Sequence, residues 1–151
     1  MDCTIITYEE REDLRPALLQ YLRDCEWGAA KLLADLHIKN NFFSDDDRTY
    51  FLMSGNDIIS FLTLARRDCI ADENLFPWIG FVYTDTKYRG HRYSEKLIRR
   101  ALEDAGRKGF SRVYLATDHT GLYEKFGFVF KENRPDINNE DSRIYVYDFP
   151  E

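Results

Sequence analysis

The chain has 151 residues, 44% of them hydrophobic and 15% aromatic, enough to bury one core and too few for two comfortable domains, so a single domain over residues 1–151 is expected. With 32% charged residues and a mean hydropathy of −0.53 it reads as water-soluble, while ten Tyr and eleven Phe argue against disorder. A net charge of −6 argues against general attraction to nucleic-acid phosphate or an anionic membrane surface.

No apolar run approaches the roughly 20 residues that span a bilayer. The polar run Glu9, Glu10, Arg11, Glu12 lacks a signal-peptide profile, so the cytoplasm is the expected compartment. Cys3, Cys25 and Cys69 are far apart, without a CxxC pair, and only His37, His91 and His119 accompany them. Three free thiols, no disulfide framework and no metal site are therefore expected.

In chain order, Thr4 to Tyr8 is a short β-prone run. Residues 10 to 40 read as two helices, with Leu14, Leu18, Leu19 and Leu22 on one face and Ala29, Leu32, Leu33, Leu36 and His37 on the next, broken near Glu26-Trp27-Gly28. After the polar loop NNFFSDDDR, Tyr50 to Ser54 and Ile58 to Ala65 form a hairpin about Gly55-Asn56-Asp57. Trp78 to Tyr83 is nearly continuously apolar and reads as a buried central strand. From Ser94 onward Leu97, Ile98, Ala101, Leu102 and Ala105 mark a helix that stops at Gly109. Arg112 to Thr117 is a further strand, Gly121 to Phe126 a short helix, and Phe128 to Lys131 and Ile144 to Phe149 the closing strands. The pattern predicts an α+β fold mixing antiparallel hairpins with one βαβ crossover.

Between Lys87 and Arg100 six basic residues (Lys87, Arg89, Arg92, Lys96, Arg99, Arg100) face one acid, Glu95, a local charge of +5 that leaves −11 for the remainder. This island sits where the central strand turns through Arg89-Gly90-His91-Arg92-Tyr93-Ser94 into a helix. A helix N-terminus presents unpaired N–H groups and the positive end of the dipole, a natural seat for phosphate. Neither a P-loop nor a GxGxxG fingerprint occurs. Further on, Tyr123-Glu124-Lys125-Phe126-Gly127-Phe128 puts a tyrosine on a short helix closed by glycine; the ring either packs a helix–sheet joint or serves chemistry.

The order of strand, Arg-Gly turn, helix, strand and Leu-Tyr-Glu-Lys-Phe-Gly-Phe resembles the GNAT superfamily of N-acetyltransferases, over about Trp78 to Phe128. The family's Tyr-Glu-Lys-x-Gly-Phe turn is matched at every position, and its cofactor motif Gln/Arg-x-x-Gly-x-Gly/Ala in part: Arg89 opens it, but Arg92 and Ser94 stand where small residues are usual. The resemblance implies a mixed, mostly antiparallel central sheet of about seven strands with about four helices, splayed between the fourth and fifth strands. It also implies acetyl transfer from acetyl-CoA to an amine of a small molecule or peptide. Backbone groups of Phe81, Val82 and Tyr83 would then hold the pantetheine arm like an added strand. A strand N–H would stabilise the oxyanion, and Arg89, Gly90, His91, Arg92, Tyr93 and Ser94 would take the pyrophosphate. Arg92 is expected in a helical conformation with its side chain turned outward, and Ser94 as an N-cap.

Tyr123 is then the expected proton donor to the departing thiolate. Asp72, Glu73 and His119 are the candidates to deprotonate the amine, Glu73 first, alongside a water relay. The family often has an asparagine after the second strand of the splay to hold pantetheine; Thr117-Asp118-His119-Thr120 has none, and His119 is the substitute. The acceptor pocket would draw on Trp27, Phe42, Phe43 and Tyr145, and the surplus acidity, including Asp45-Asp46-Asp47, would favour a cationic acceptor. Two other readings stand beside this one: a CoA-binding regulatory module without turnover, and a nucleic-acid-binding domain, which the acidic balance disfavours. Tyr145, Tyr147 and Phe149 offer either a homodimer contact or, by alternation, one face of a sheet.

Overall fold

The computed structural model describes residues 2–150. Seven strands, β1 (Thr4–Thr7), β2 (Arg48–Ser54), β3 (Asp57–Ala65), β4 (Trp78–Thr84), β5 (Arg112–Thr117), β6 (Val129–Pro135) and β7 (Asp141–Asp148), form one sheet in the order β1-β2-β3-β4-β5-β7-β6. Every neighbouring pair is antiparallel except β4 and β5, which run parallel on either side of the crossover helix. The α-helices are α1 (Arg15–Asp24), α2 (Gly28–Lys39) and α3 (Tyr93–Arg107). The fourth expected helix is a single 3-10 turn, Tyr123–Phe126, because Gly121 (φ 82°) and Gly127 (φ 95°) bracket too little chain for an α-helix.

Alternation along the strands sorts the core. Tyr50, Leu52, Leu62, Leu64, Ile79, Val113, Leu115 and Tyr145 pack under α3 through Leu97, Ile98, Ala101, Leu102 and Ala105, as the helical spacing predicts. The opposite face carries Phe51 and Phe61 beneath Leu18, Leu22 and Leu33 of α1 and α2, and Trp78, Tyr114, Ile144 and Val146 beneath Ile70 of the β3–β4 connection. Tyr145 is buried on the α3 side of an interior strand, with half-buried Tyr147 and Phe149 packed on the same side, as alternation predicts. Strand β6 is the edge, longer than expected: polar Glu132, Asn133, Arg134 and Pro135 carry no apolar alternation, yet they suit a solvent-facing edge. The turn into β7 is tied by Asp136 Oδ1, which accepts from the N–H groups of Asn138 (2.8 Å) and Glu140 (3.0 Å).

His37, on α2, stacks between Tyr8 (4.0 Å) and Phe43 (4.7 Å) with Nε2 2.8 Å from Thr49 Oγ1. Burial lowers its pKa to about 4. The unfolded chain, with imidazole near its ordinary ~6.5, binds that proton more readily, so this contribution is complete above pH ~6.5 and is lost as pH falls towards 4. Burial raises the Asp68 carboxyl to about 6, which acts in the opposite sense over the same interval. The difference between wild type and His37→Gln isolates the imidazole: urea midpoints should show wild type losing about 2–3 kcal/mol more than the variant between pH 7 and 4.5. Parallel pH dependences would remove His37 as the cause.

Candidate active site

The site begins with a defect in pairing. β4 meets β5 only at Trp78↔Tyr114 and Ile79↔Leu115, after which the two parallel strands separate. On its other side β4 carries one residue more than β3: Thr63 pairs with Gly80 and Phe61 with Tyr83, leaving Phe81 and Val82 opposite Leu62 alone. Phe81 takes up the extra length at φ 52°, a left-handed backbone costly for a bulky residue. The β4 segment 80–84 thus turns an edge without a β5 partner towards the splay. This is the placement expected of Phe81, Val82 and Tyr83.

Past β4, residues 89–92 lead into α3. The N–H groups of Gly90, His91, Arg92, Tyr93 and Ser94 have no hydrogen-bond partner among the described residues, since the first donor used is Glu95 N–H, to Arg92 O (3.2 Å). A row of free donors at the start of a fifteen-residue helix suits an anion. The arginines also brace this loop. Arg89 Nε donates to Thr84 O (2.9 Å), with its guanidinium 5.3 Å from the Tyr83 ring, so it closes the end of β4.

Arg92 is the N-cap residue of α3 in a left-handed conformation (φ 57°, ψ 33°), not the helical one expected. Its exposed side chain pairs with Glu95 (2.9 Å) and lies 5.6 Å from the Phe126 ring. Ser94 is the second helical residue and caps nothing through its side chain.

Tyr123 stands on the α3 side of the sheet in the same cluster as Val82, against Phe126 and Phe128 (ring centroids 6.3 Å each). Gly127, left-handed and with Tyr147 against its α-carbon, ends the turn that carries it. Burial raises the phenol to about 12, and its hydroxyl has no hydrogen-bond partner among the described residues. The group is therefore a neutral donor. β4, the 89–94 loop and Tyr123 converge on one splay.

Of the base candidates, Asp72 and Glu73 do not. Glu73 is exposed in the connection before Trp78, at the end of β4 opposite the splay. Neighbouring Asp72 is bound to Arg134 at 2.8 Å. His119 is exposed beyond β5; its carbonyl accepts from the Tyr145 hydroxyl (3.4 Å). Trp27 stacks on Tyr83 (5.2 Å, 8° between planes) and Phe43 on His37 (4.7 Å), both against the cluster beneath α1 and α2, whereas Tyr145 is on the α3 side.

A polar spot that sequence reading missed lies on the α1/α2 side of β4. The Asp68 carboxylate occupies the place that a β-carbon on Gly80 would take. Thr63, the cross-strand partner of Gly80, is 1% exposed and its Oγ1 has no hydrogen-bond partner. The available signal was Gly80 itself, a lone glycine in an apolar strand, which marks a bulge or a close approach.

The match of the Acetyltransferase (GNAT) family model to residues 11–128 shows that the chain belongs to that family. No curated protein matches the sequence. Among solved structures, aminoglycoside 6'-acetyltransferase type Ii is similar over 100% of this chain and 99% of that one, with 14% identity and a TM-score of 0.73. A GNAT acetyltransferase from Elizabethkingia anophelis with acetyl-CoA bound is similar over 97% and 98%, with 17% identity and a TM-score of 0.66. A Bacillus anthracis acetyltransferase in complex with acetyl coenzyme A is 22% identical over 71% of this chain and 65% of that one, TM-score 0.58. At such identities these likenesses establish the fold.

Proposed function

We propose that the protein is a cytoplasmic, single-domain N-acetyltransferase that moves the acetyl group of acetyl-CoA to an amine of a small molecule or peptide by direct attack. One observation carries the reading: the β4–β5 splay is bounded by an unpaired strand edge, a row of free N–H groups at a helix start and a neutral buried phenol. The edge suits the amides of pantetheine, the N–H row suits a pyrophosphate, and Tyr123 suits a departing thiolate. Membership of the GNAT family and acetyl-CoA in two of the similar structures support this cofactor. Glu73 can act in this scheme only through a chain of water molecules.

The test is thermal unfolding with acetyl-CoA, with ATP and NAD as controls. At about a hundred times its Kd, acetyl-CoA should stabilise by roughly 2.7 kcal/mol, raising Tm by about 5–10 °C. Arg92→Gly should by itself raise Tm by about 1–4 °C, by relieving the left-handed backbone, and keep the acetyl-CoA shift. No shift at millimolar acetyl-CoA overturns the reading. A shift without thiol release for any amine would favour a CoA-binding module without turnover.

A further inference from the structure

We propose that Asp68 receives the acceptor's ammonium group and takes its proton, with the Thr63 hydroxyl as the second contact. The assignment rests on the acetyl-transfer reading and names the residues on its acceptor side. Leu62 and Leu64 pack under α3, so Thr63 projects to the opposite face, on the side of its cross-strand partner Gly80. Asp68 fills the missing side chain of Gly80 and therefore lies on that face, one residue before the bulge at Phe81 where β4 leaves β5.

Asp68 is half-buried, and a carboxylate withdrawn from water is usually matched by a cation. Asp68 has none among the described residues. The arginines beside it in sequence turn elsewhere: Arg66 lies over Phe76 (3.9 Å) and Arg67 over Phe42 (4.5 Å), donating to Asn41 O (3.2 Å). The titratable group beside it is Cys69; burial, then Asp68, raise that thiol to about 12, with Asp136 a further acidic neighbour. Burial holds the Asp68 carboxyl at about 6, basic enough to accept a proton yet mostly ionised at neutral pH. Thr63 Oγ1 is an unused acceptor on the same face. An ammonium supplies the charge that one lacks and the hydrogen bond that the other lacks.

Asp68 and Tyr123 then flank the splay from opposite faces of the sheet. The carboxylate takes one proton from the ammonium and later returns it to solvent. The freed amine nitrogen attacks the thioester carbon, the N–C bond forms and the C–S bond breaks. Sulfur takes the Tyr123 proton, and the second N–H proton, passed by water, restores the phenol. The sum is amide, CoA thiol and one proton from ammonium and thioester.

The experiment measures thiol release from acetyl-CoA by the full chain, with spermidine and 2-phenylethylamine at millimolar concentration as probes. Asp68→Asn should lower kcat/KM by about a hundredfold near pH 7.5 and remove the acid limb that wild type shows near pH 6, with acetyl-CoA stabilisation retained. Gly80→Ala, whose methyl displaces the carboxylate, should lose at least about tenfold, and Thr63→Val should raise KM more than it lowers kcat. An Asp68→Asn protein within about threefold of wild type, or with the acid limb intact, overturns the assignment and leaves acetyl transfer standing. Loss of acetyl-CoA stabilisation in that variant would place Asp68 in the fold and also overturn it. A wild type that acetylates neither probe nor any other primary amine defeats the acetyl-transfer reading, and the assignment with it.

Discussion

Tyr123→Phe is expected to lower kcat by ten- to a thousandfold while the stabilisation by acetyl-CoA is nearly unchanged. The hydroxyl removed is a neutral donor held by burial, its pKa raised to about 12, and it has no partner inside the described protein. The CoA thiolate that leaves has a conjugate thiol near ~8.5, so a phenol can hydrogen-bond or protonate it as negative charge develops on sulfur. The ring's contacts with Phe126 and Phe128 survive in phenylalanine, so the fold should too. A phenol at about 12 does not titrate in the working range, and an alkaline limb below pH ~11 should persist in the variant. Turnover equal to wild type would take Tyr123 out of the chemistry and leave it a packing residue.

Phe61→Ala should produce the largest loss of stability, about 3–5 kcal/mol, or roughly 10 °C in Tm. Phe61 is 0% exposed and joins both helices of its face to the sheet, with ring centroids 6.3 Å from Tyr21, 6.2 Å from Trp27, 5.8 Å from Phe51 and 5.3 Å from Tyr83. Truncation removes its buried surface and leaves a cavity under α1, α2 and β4 that rings fixed on three elements cannot refill. Phe61→Leu, which keeps most of the volume, should lose about half as much. Chemical unfolding of both variants checks the order; equal, small losses would mean that the cluster collapses around the gap.

Much of the fold is legible in the residues. Leu97, Ile98, Ala101, Leu102 and Ala105 keep helical spacing because one face of α3 must bury, and the observed core uses all five. Gly55, Gly109 and Gly127 end elements where the backbone turns left-handed. The Tyr123 turn and the 89–94 loop are equally legible, being local motifs of contiguous residues. Strand β6 was half hidden: an edge facing solvent needs no apolar alternation, so Glu132 to Pro135 look like loop.

The sequence by itself determined the family and the local form of the 89–94 loop and the Tyr123 turn, because the N–H groups of a helix start and the tyrosine of a tight turn are positioned by bonds a few residues long. Only the tertiary structure decided the splay, the bulge at Phe81 and the pairing of Thr63, Asp68 and Gly80. These depend on which strands meet and in what register. Asp68 reaches β4 across a connection of irregular chain, so no periodicity points to it, whereas Glu73, nearer to β4 in sequence, is carried to the strand's far end. Arg92 shows the same division: its place in the motif and its pairing with Glu95, three residues on, are local, but its contact with Phe126 exists only once α3 and the Tyr123 turn are packed together.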